Sequence, residues 1–142
     1  MKVHRLKHIR TEDVSRINSL LRTLSPDTPE ISKGRLEELI ADSSFSLFTA
    51  EEDGVISGML SLTRCHTLAK SKYWIEDVIV DPAFRGKGTG HSLVQAAVLY
   101  VKEQKEPAAI YLTSNPSRTH ARALYRSEGF EEYDTGVFLF KV

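Results

Sequence analysis

The sequence predicts an α/β domain with a mixed central sheet of about six or seven strands and helices on both faces. Three observations carry this: an antiparallel hairpin in the first half, a strand–helix–strand unit in the second, and amphipathic helical spacing around both. The elements follow in chain order. Lys2 to Ile9 alternates Val3, Arg5, Lys7 and Ile9 against His4, Leu6 and His8, a first strand. From Thr11, read as an N-cap, Val14, Ile17, Leu20, Leu21 and Leu24 recur at helical spacing until Pro26. Ser25 to Glu30 holds two prolines and polar turn formers, a candidate substrate loop, and Ser32 caps a short helix bearing Leu36, Leu39 and Ile40. Phe45–Ala50 and Val55–Thr63 flank Asp53-Gly54, a strong tight-turn signal, and form the hairpin.

Trp74 to Val80 is apolar apart from Glu76 and Asp77, as expected of a central strand covered on both faces. A glycine-rich turn leads to a helix through Leu93, Val94, Ala97 and Val101, apolar around much of its circumference, and then to a strand at Ala109–Thr113. Such a unit has parallel strands and a right-handed crossover. A helix from about Arg118 to Glu128 stops at Gly129, and strands are expected at Phe130–Tyr133 and Gly136–Lys141.

With 142 residues the chain is expected to be one domain over 1–142, able to bury a core without disulfide or metal staples. Lysine plus arginine equals aspartate plus glutamate, 19 each, so no global field draws nucleic acid or an anionic membrane. Cys65 is the lone cysteine; it cannot form an internal disulfide, and a reducing cytoplasm fits best. Met1 to Arg10 is basic and broken by charges, unlike a signal peptide or membrane span, and a soluble protein is expected. His66, His91 and His120 lack metal-ligand spacing, so no metal is implied, and Cys65 reads as a small buried apolar residue.

The turn Asp81-Pro82-Ala83-Phe84-Arg85-Gly86-Lys87-Gly88-Thr89-Gly90-His91 joins the central strand to the deep helix. Glycine permits positive φ and close backbone approach, so consecutive N–H groups can face one anion. The helix start adds unpaired donors and the positive end of its dipole, a site for phosphate or pyrophosphate. Arg85 and Lys87 add positive charge. A Walker A loop ends in Gly-Lys-Ser/Thr, whereas here Gly90 is followed by His91 and Ser92. A dinucleotide fingerprint would need glycine at His91 and an acid near Thr113.

The stretch that does fit is Arg/Gln-x-x-Gly-x-Gly/Ala, here Arg85 to Gly90, directly after Ile75-Glu76-Asp77-Val78-Ile79-Val80-Asp81-Pro82. A second block is Leu112-Thr113-Ser114-Asn115 with Arg118, Ala121, Leu124-Tyr125 and Gly129-Phe130. In this order and spacing they resemble the acetyl-CoA-binding core of the GNAT N-acetyltransferases, over about Trp74 to Phe130. The resemblance implies the GNAT acyl-CoA N-acyltransferase fold, with the two parallel strands splaying to admit the pantetheine arm. It further implies that acetyl-CoA pairs with the backbone of Val78, Ile79 and Val80, and that N–H groups of Arg85, Gly86, Lys87, Gly88, Thr89 and Gly90 hold its pyrophosphate. The amide of Val78 or its neighbour would polarise the thioester carbonyl. Asn115 would hold the pantetheine arm or the acceptor loop; read on its own, it is a turn residue before Pro116.

Acetyl transfer to a primary amine needs an unprotonated nucleophile, yet an alkylammonium has a reference pKa near about 10.4. A carboxylate, acting directly or through water, can take its proton and attract the cation. Glu76 and Asp77 are the only acids in the central strand and so are the candidate bases; a structural ion pair is the other reading. Strand alternation points them to opposite faces, and a bulge of the kind the family strand carries would shift that parity. Tyr125 matches the family tyrosine that protonates the departing thiolate, although Ala121, Leu124 and Tyr125 also share a helical face suited to a core.

The expected activity is direct acetyl transfer in a ternary complex, to a small-molecule or protein amine. Ile75-Glu76-Asp77 is similar to the same stretch of aminosugar-phosphate acetyltransferases. A non-catalytic acyl-CoA-binding or sensing module is the alternative, against which Tyr125 and Glu76 argue. An edge strand near Val137 to Phe140 is available to pair with a second copy, giving a homodimer.

Overall fold

A computed structural model describes residues 1–142. Five strands form one sheet in the order β1 (Lys2–Arg5), β2 (Phe45–Glu52), β3 (Val55–His66), β4 (Ser71–Val80), β5 (Ala109–Tyr111). The first four are antiparallel, and β4 and β5 are parallel across the crossover helix. Helices α1 (Thr11–Leu24) and α2 (Lys33–Ala41) cover one face; α3 (Thr89–Glu103) and α4 (Thr119–Ser127) cover the other.

Two apolar clusters divide along the sheet. Leu60, Leu62, Tyr73 and Ile75 pack with Leu93, Val94 and Ala97 of α3 and Tyr125 of α4. Leu47, Met59 and Ile79 pack with Ile17 and Leu20 of α1 and Leu36 of α2. Gly58 sits where this packing leaves no space: a Cβ there would stand 2.9 Å from the Ile79 carbonyl oxygen.

Several elements differ from expectation. Residue Arg10, rather than Thr11, caps α1: the buried Asp13 carboxylate accepts from the Arg10 amide at 2.9 Å and from its guanidinium at 2.7 Å. An acid three residues into the helix bonds back to the cap, and its carboxylate here also holds the cap residue's own cation. The strand expected to reach Ile9 ends at Arg5, and the one expected to reach Thr113 ends at Tyr111. Ser32 does cap α2, accepting from the Arg35 amide at 3.1 Å.

Neither Phe130–Tyr133 nor Gly136–Lys141 is a strand, so the sheet has five strands rather than six or seven. The chain after α4 is held to the helix instead. The Phe130 amide donates to the Tyr125 carbonyl at 3.0 Å, and Arg122 and Arg126 of α4 both engage Glu132. A strand forms only beside a partner, and these contacts spend the segment on α4 rather than on the outer edge of β5.

Candidate active site

The expectation that β4 is covered on both faces fails at its centre, where Glu76 and Asp77 are exposed. A β-bulge explains this. Ser61 of β3 pairs with Glu76 and Met59 with Ile79, so two β4 residues, Asp77 and Val78, stand between pairs where β3 has only Leu60. Asp77 absorbs the extra length with φ of 52°, an uncommon conformation for a non-glycine residue. The bulge reverses the alternation: Tyr73 and Ile75 belong to the α3/α4 cluster, but Ile79 belongs to the α1/α2 cluster.

The two carboxylates therefore do not point to opposite faces. Ser61 lies on the α1/α2 face, two residues from Met59, and its register partner Glu76 shares that face. Asp77 reaches the same side, because its carboxylate accepts from the Ser61 hydroxyl at 2.8 Å. That hydroxyl also lies 3.1 Å from the Glu76 carbonyl oxygen, so one proton serves two acceptors at the bulge. Partial burial, and then the neighbouring Asp77 charge, push the Glu76 carboxyl above the usual carboxylate range. Both effects disfavour the ionised form. Neither acid is in a salt bridge, which speaks against the structural ion-pair reading. Ser61 was not foreseen; its only sequence signal is a polar residue inside the apolar run of β3.

Beside the bulge β4 and β5 part company. They pair only through Lys72↔Ala109, Tyr73↔Ile110 and Trp74↔Tyr111, and Ile75 to Val80 continue without a strand on that side. Val78, Ile79 and Val80 thus lie along an open backbone edge. An aromatic wall, also unforeseen, marks the divergence: Trp74 stacks on Tyr111 at 5.1 Å between ring centroids, and Tyr133 stands edge-on to Tyr111 at 6.0 Å.

At the end of β4 the chain turns sharply. The Asp81 carboxylate accepts from the Ala83 amide at 2.8 Å and from Arg16 of α1 at 2.5 Å. The amide bond first, and then Arg16, hold its pKa below the usual carboxylate range. The Arg16 Nε also donates to the Ile56 carbonyl at 2.6 Å, so α1 braces the turn. After a short 3₁₀ turn at Pro82–Phe84, Arg85, Gly86, Lys87 and Gly88 are exposed. Gly86 and Gly88 have φ of 78° and 80°, and nothing lies within 4 Å of where a Cβ would project at either. Gly88 is the residue before α3, whose first turn supplies the free N–H groups of a helix start. This exposed cradle fits the diphosphate that the sequence implied. The Arg85 Nε donates to the Val80 carbonyl at 3.2 Å, and the Lys87 ammonium lies 3.7 Å from Glu52, so both cations are tethered at the rim.

Gly90 has a different reason to be glycine. A Cβ there would stand 2.7 Å from a methyl of Leu124, so its bareness lets α4 close on α3. Tyr125, the next residue, is 8% exposed within the α3/α4 cluster, and its ring meets Phe130 edge-on at 6.2 Å. Burial pushes its pKa up, against the smaller opposing effect of Arg118, which keeps the phenol protonated. Asn115 is taken up by a turn: its side-chain oxygen accepts from the Ser117 amide at 3.0 Å and hydroxyl at 2.9 Å. Cys65 is half-buried at the far end of β3. His91 is bonded to Glu128 at 2.7 Å. No helix is long and apolar enough to cross a membrane.

Comparison with known proteins identifies the family and the fold. The model of the acetyltransferase (GNAT) family matches residues 12–130. An N-alpha-acetyltransferase from Sulfurisphaera tokodaii is 26% identical over 140 residues, covering 92% of this chain and 82% of that protein. An uncharacterized protein from Mycobacterium leprae is 32% identical over 92 residues, and the match spans 65% of this chain but only 24% of that relative's length. Among solved structures, the aminoglycoside acetyltransferase AAC(6')-Iy bound to a bisubstrate analogue, CoA-S-monomethyl-acetylneamine, shares the fold with a TM-score of 0.78 and 20% identity, covering 99% of this chain and 97% of that one.

Proposed function

The chain belongs to the acetyltransferase (GNAT) family, and on that premise we propose that residues 1–142 form one catalytic domain that transfers an acetyl group from acetyl-CoA to a primary amine. The observation that carries this reading is the β4 bulge, which sets two unpaired carboxylates on one face beside the open edge of the same strand. Arg85, Gly86, Lys87, Gly88, Thr89 and Gly90 would hold the diphosphate, and the backbone of Val78, Ile79 and Val80 would pair with the pantetheine arm. Acetyl-CoA supplies the activated acetyl group when bound.

The chain's own groups then divide the work. Glu76 takes the proton of the ammonium, directly or through water, because its raised pKa suits a proton acceptor. Asp77, held by Ser61, adds negative charge that attracts the cation. An amide at the bulge, from Val78 or its neighbour, donates to the thioester carbonyl oxygen as charge develops there. The Tyr125 hydroxyl delivers a proton to the departing sulfur, for which a protonated phenol is the required state. Asn115 steadies the loop after β5 through its turn bonds. The acceptor is a cationic amine, on a small molecule or a protein; the relatives named above include an N-alpha-acetyltransferase and an aminoglycoside acetyltransferase. The balanced charge, 19 basic against 19 acidic residues, favours an acceptor that is neither nucleic acid nor an anionic membrane, and the lone Cys65 suits a reducing cytoplasm.

Incubation with acetyl-CoA and a panel of amines, following free thiol release, tests the reading. Amine-dependent release supports it. Tight acetyl-CoA binding with no release for any amine would favour the acyl-CoA-sensing alternative.

A further inference from the structure

A cavity of about 270 Å³ opens on the far side of the sheet from Glu76, between the start of β4 and the last turn of α3. Strand register builds its floor. Ser46 pairs with Leu62 and Arg64 with Tyr73, and Leu62 and Arg64, two residues apart on β3, share the face that carries α3. Tyr73 is 3% exposed and Ser46 5%, yet neither hydroxyl has a hydrogen-bond partner in the protein, and neither is sealed from the cavity. Buried hydroxyls are ordinarily paired, so two that line one cavity unpaired mark a place for a polar ligand.

The neighbouring groups supply donors. Burial raises the Tyr73 phenol pKa, against the smaller opposing effect of Arg64, so the hydroxyl keeps its proton and can donate it. The Tyr100 hydroxyl accepts from Arg5 Nη1 at 3.0 Å, which leaves its own proton free. Arg64 gives Nη2 to Glu106 at 2.6 Å and keeps Nε and Nη1 for another partner, with its guanidinium carbon 5.9 Å from the Tyr73 ring centroid. The Tyr100 carbonyl, in the last turn of α3, would repel an anion, but the Gln104 side chain covers it with a bond of 2.9 Å. Ser44 is already spent, its hydroxyl donating to Asp42 at 2.7 Å. We propose that this cavity binds a small monocarboxylate at a site separate from acetyl transfer.

Arg64 is the only charged side chain in the lining, so a ligand with one negative charge is matched and a dianion is not. Its guanidinium and the Tyr73 hydroxyl suit the two oxygens of one carboxylate, and Ser46 and Tyr100 suit a second polar group. Leu62 and the two tyrosine rings give the carbon skeleton apolar walls. The volume falls below the roughly 300–1,000 Å³ of pockets for drug-sized molecules, which sets the ligand's small size.

Amide-resolved NMR on the full chain at constant ionic strength tests this, with lactate, benzoate and inorganic phosphate as probes. At least one of the two carboxylates should shift the amides of residues 43–46, 62–64 and 73 saturably, and excess acetyl-CoA should not displace it. Tyr73→Phe removes only an unpartnered hydroxyl, so it should keep the parent's melting temperature while weakening carboxylate binding about 5-fold. Arg64→Gln should weaken it about 10-fold or more, the scale of a lost charged hydrogen bond. No saturable shift with either carboxylate, shifts confined to the glycine turn 85–90, displacement by acetyl-CoA, or unchanged binding in either variant overturns the proposal. Tighter binding of phosphate than of both carboxylates overturns it as well, assigning the cavity to a tetrahedral oxyanion. None of these measurements uses acetyl transfer, so their failure would leave the proposed activity standing.

Discussion

On its α3/α4 face the sheet meets Leu93, Val94, Ala97 and Tyr125 with side chains of its own that are almost wholly apolar, whereas the buried residues on the α1/α2 side include Asp13, Asn18, Thr49 and Ser61. The polar members are mostly tied. Asp13 holds the cap of α1, Asn18 clamps Ile31 with bonds of 2.9 and 2.8 Å, and Ser61 holds Asp77. The contrast separates two jobs. A close-packed apolar layer fixes where the glycine turn and Tyr125 stand, while a face rich in satisfied polar groups can carry carboxylates and shape a loop for an acceptor. Substitutions on the first face should therefore cost mainly stability, and those on the second mainly chemistry.

The largest expected effect is on the apolar side. Leu93 is fully buried, and Leu93→Ala should destabilise the fold by about 3 kcal/mol in denaturant unfolding, from lost transfer free energy plus a residual cavity. A loss below about 1 kcal/mol would mean the α3/α4 layer can collapse around the gap and is not the rigid side.

Tyr125 is where the comparison is easiest to break, because it sits in the apolar layer yet is assigned chemistry. Tyr125→Phe should leave stability and acetyl-CoA affinity nearly unchanged and lower turnover by roughly 10²-fold, the scale of a lost general acid. Unchanged turnover, with chemistry shown to limit the rate, would return Tyr125 to packing alone.

Glu76→Gln should lower turnover by about 10-fold or more near neutral pH and recover partly as pH rises toward the free amine's pKa, since solvent then supplies the neutral nucleophile. Stability should move the other way. A carboxyl whose folded pKa is raised ionises more readily in the unfolded chain, so it lowers stability as pH climbs through that range. Removing it should make the protein slightly more stable at neutral pH, a gain that no packing role predicts. A greater loss of turnover in Asp77→Asn than in Glu76→Gln would exchange the two assignments.

The smallest effect concerns the brace under the cradle. The folded pKa of Asp81 is depressed, so its stabilisation is present above its unfolded value of about 3.9 and is lost as pH falls through the folded value. Asp81→Asn should cost about 1 kcal/mol at neutral pH, and the gap between variant and parent should close on acidification below about pH 4. A gap independent of pH would assign the loss to turn geometry rather than to the charge shared with Arg16.

Sequence by itself determined what local rules govern. Helical spacing located α1 and α3, Asp53-Gly54 located the hairpin, and Ser32 the start of α2, because turns, caps and amphipathic periods are short-range consequences of side-chain chemistry. Gly86 and Gly88 belong with them, since positive φ is a property of the residue itself. Which face Glu76 and Asp77 share was decided only in the sheet. A bulge is a mismatch of register between two strands, and no single strand carries its own register. The same holds for Ser61, for Arg16 reaching Asp81 from another helix, and for Gly90 meeting Leu124. The segment 136–142 is the limiting case: its pattern reads as a strand, but a strand exists only once a neighbour supplies the other half of its hydrogen bonds, and within one copy the chain supplies none.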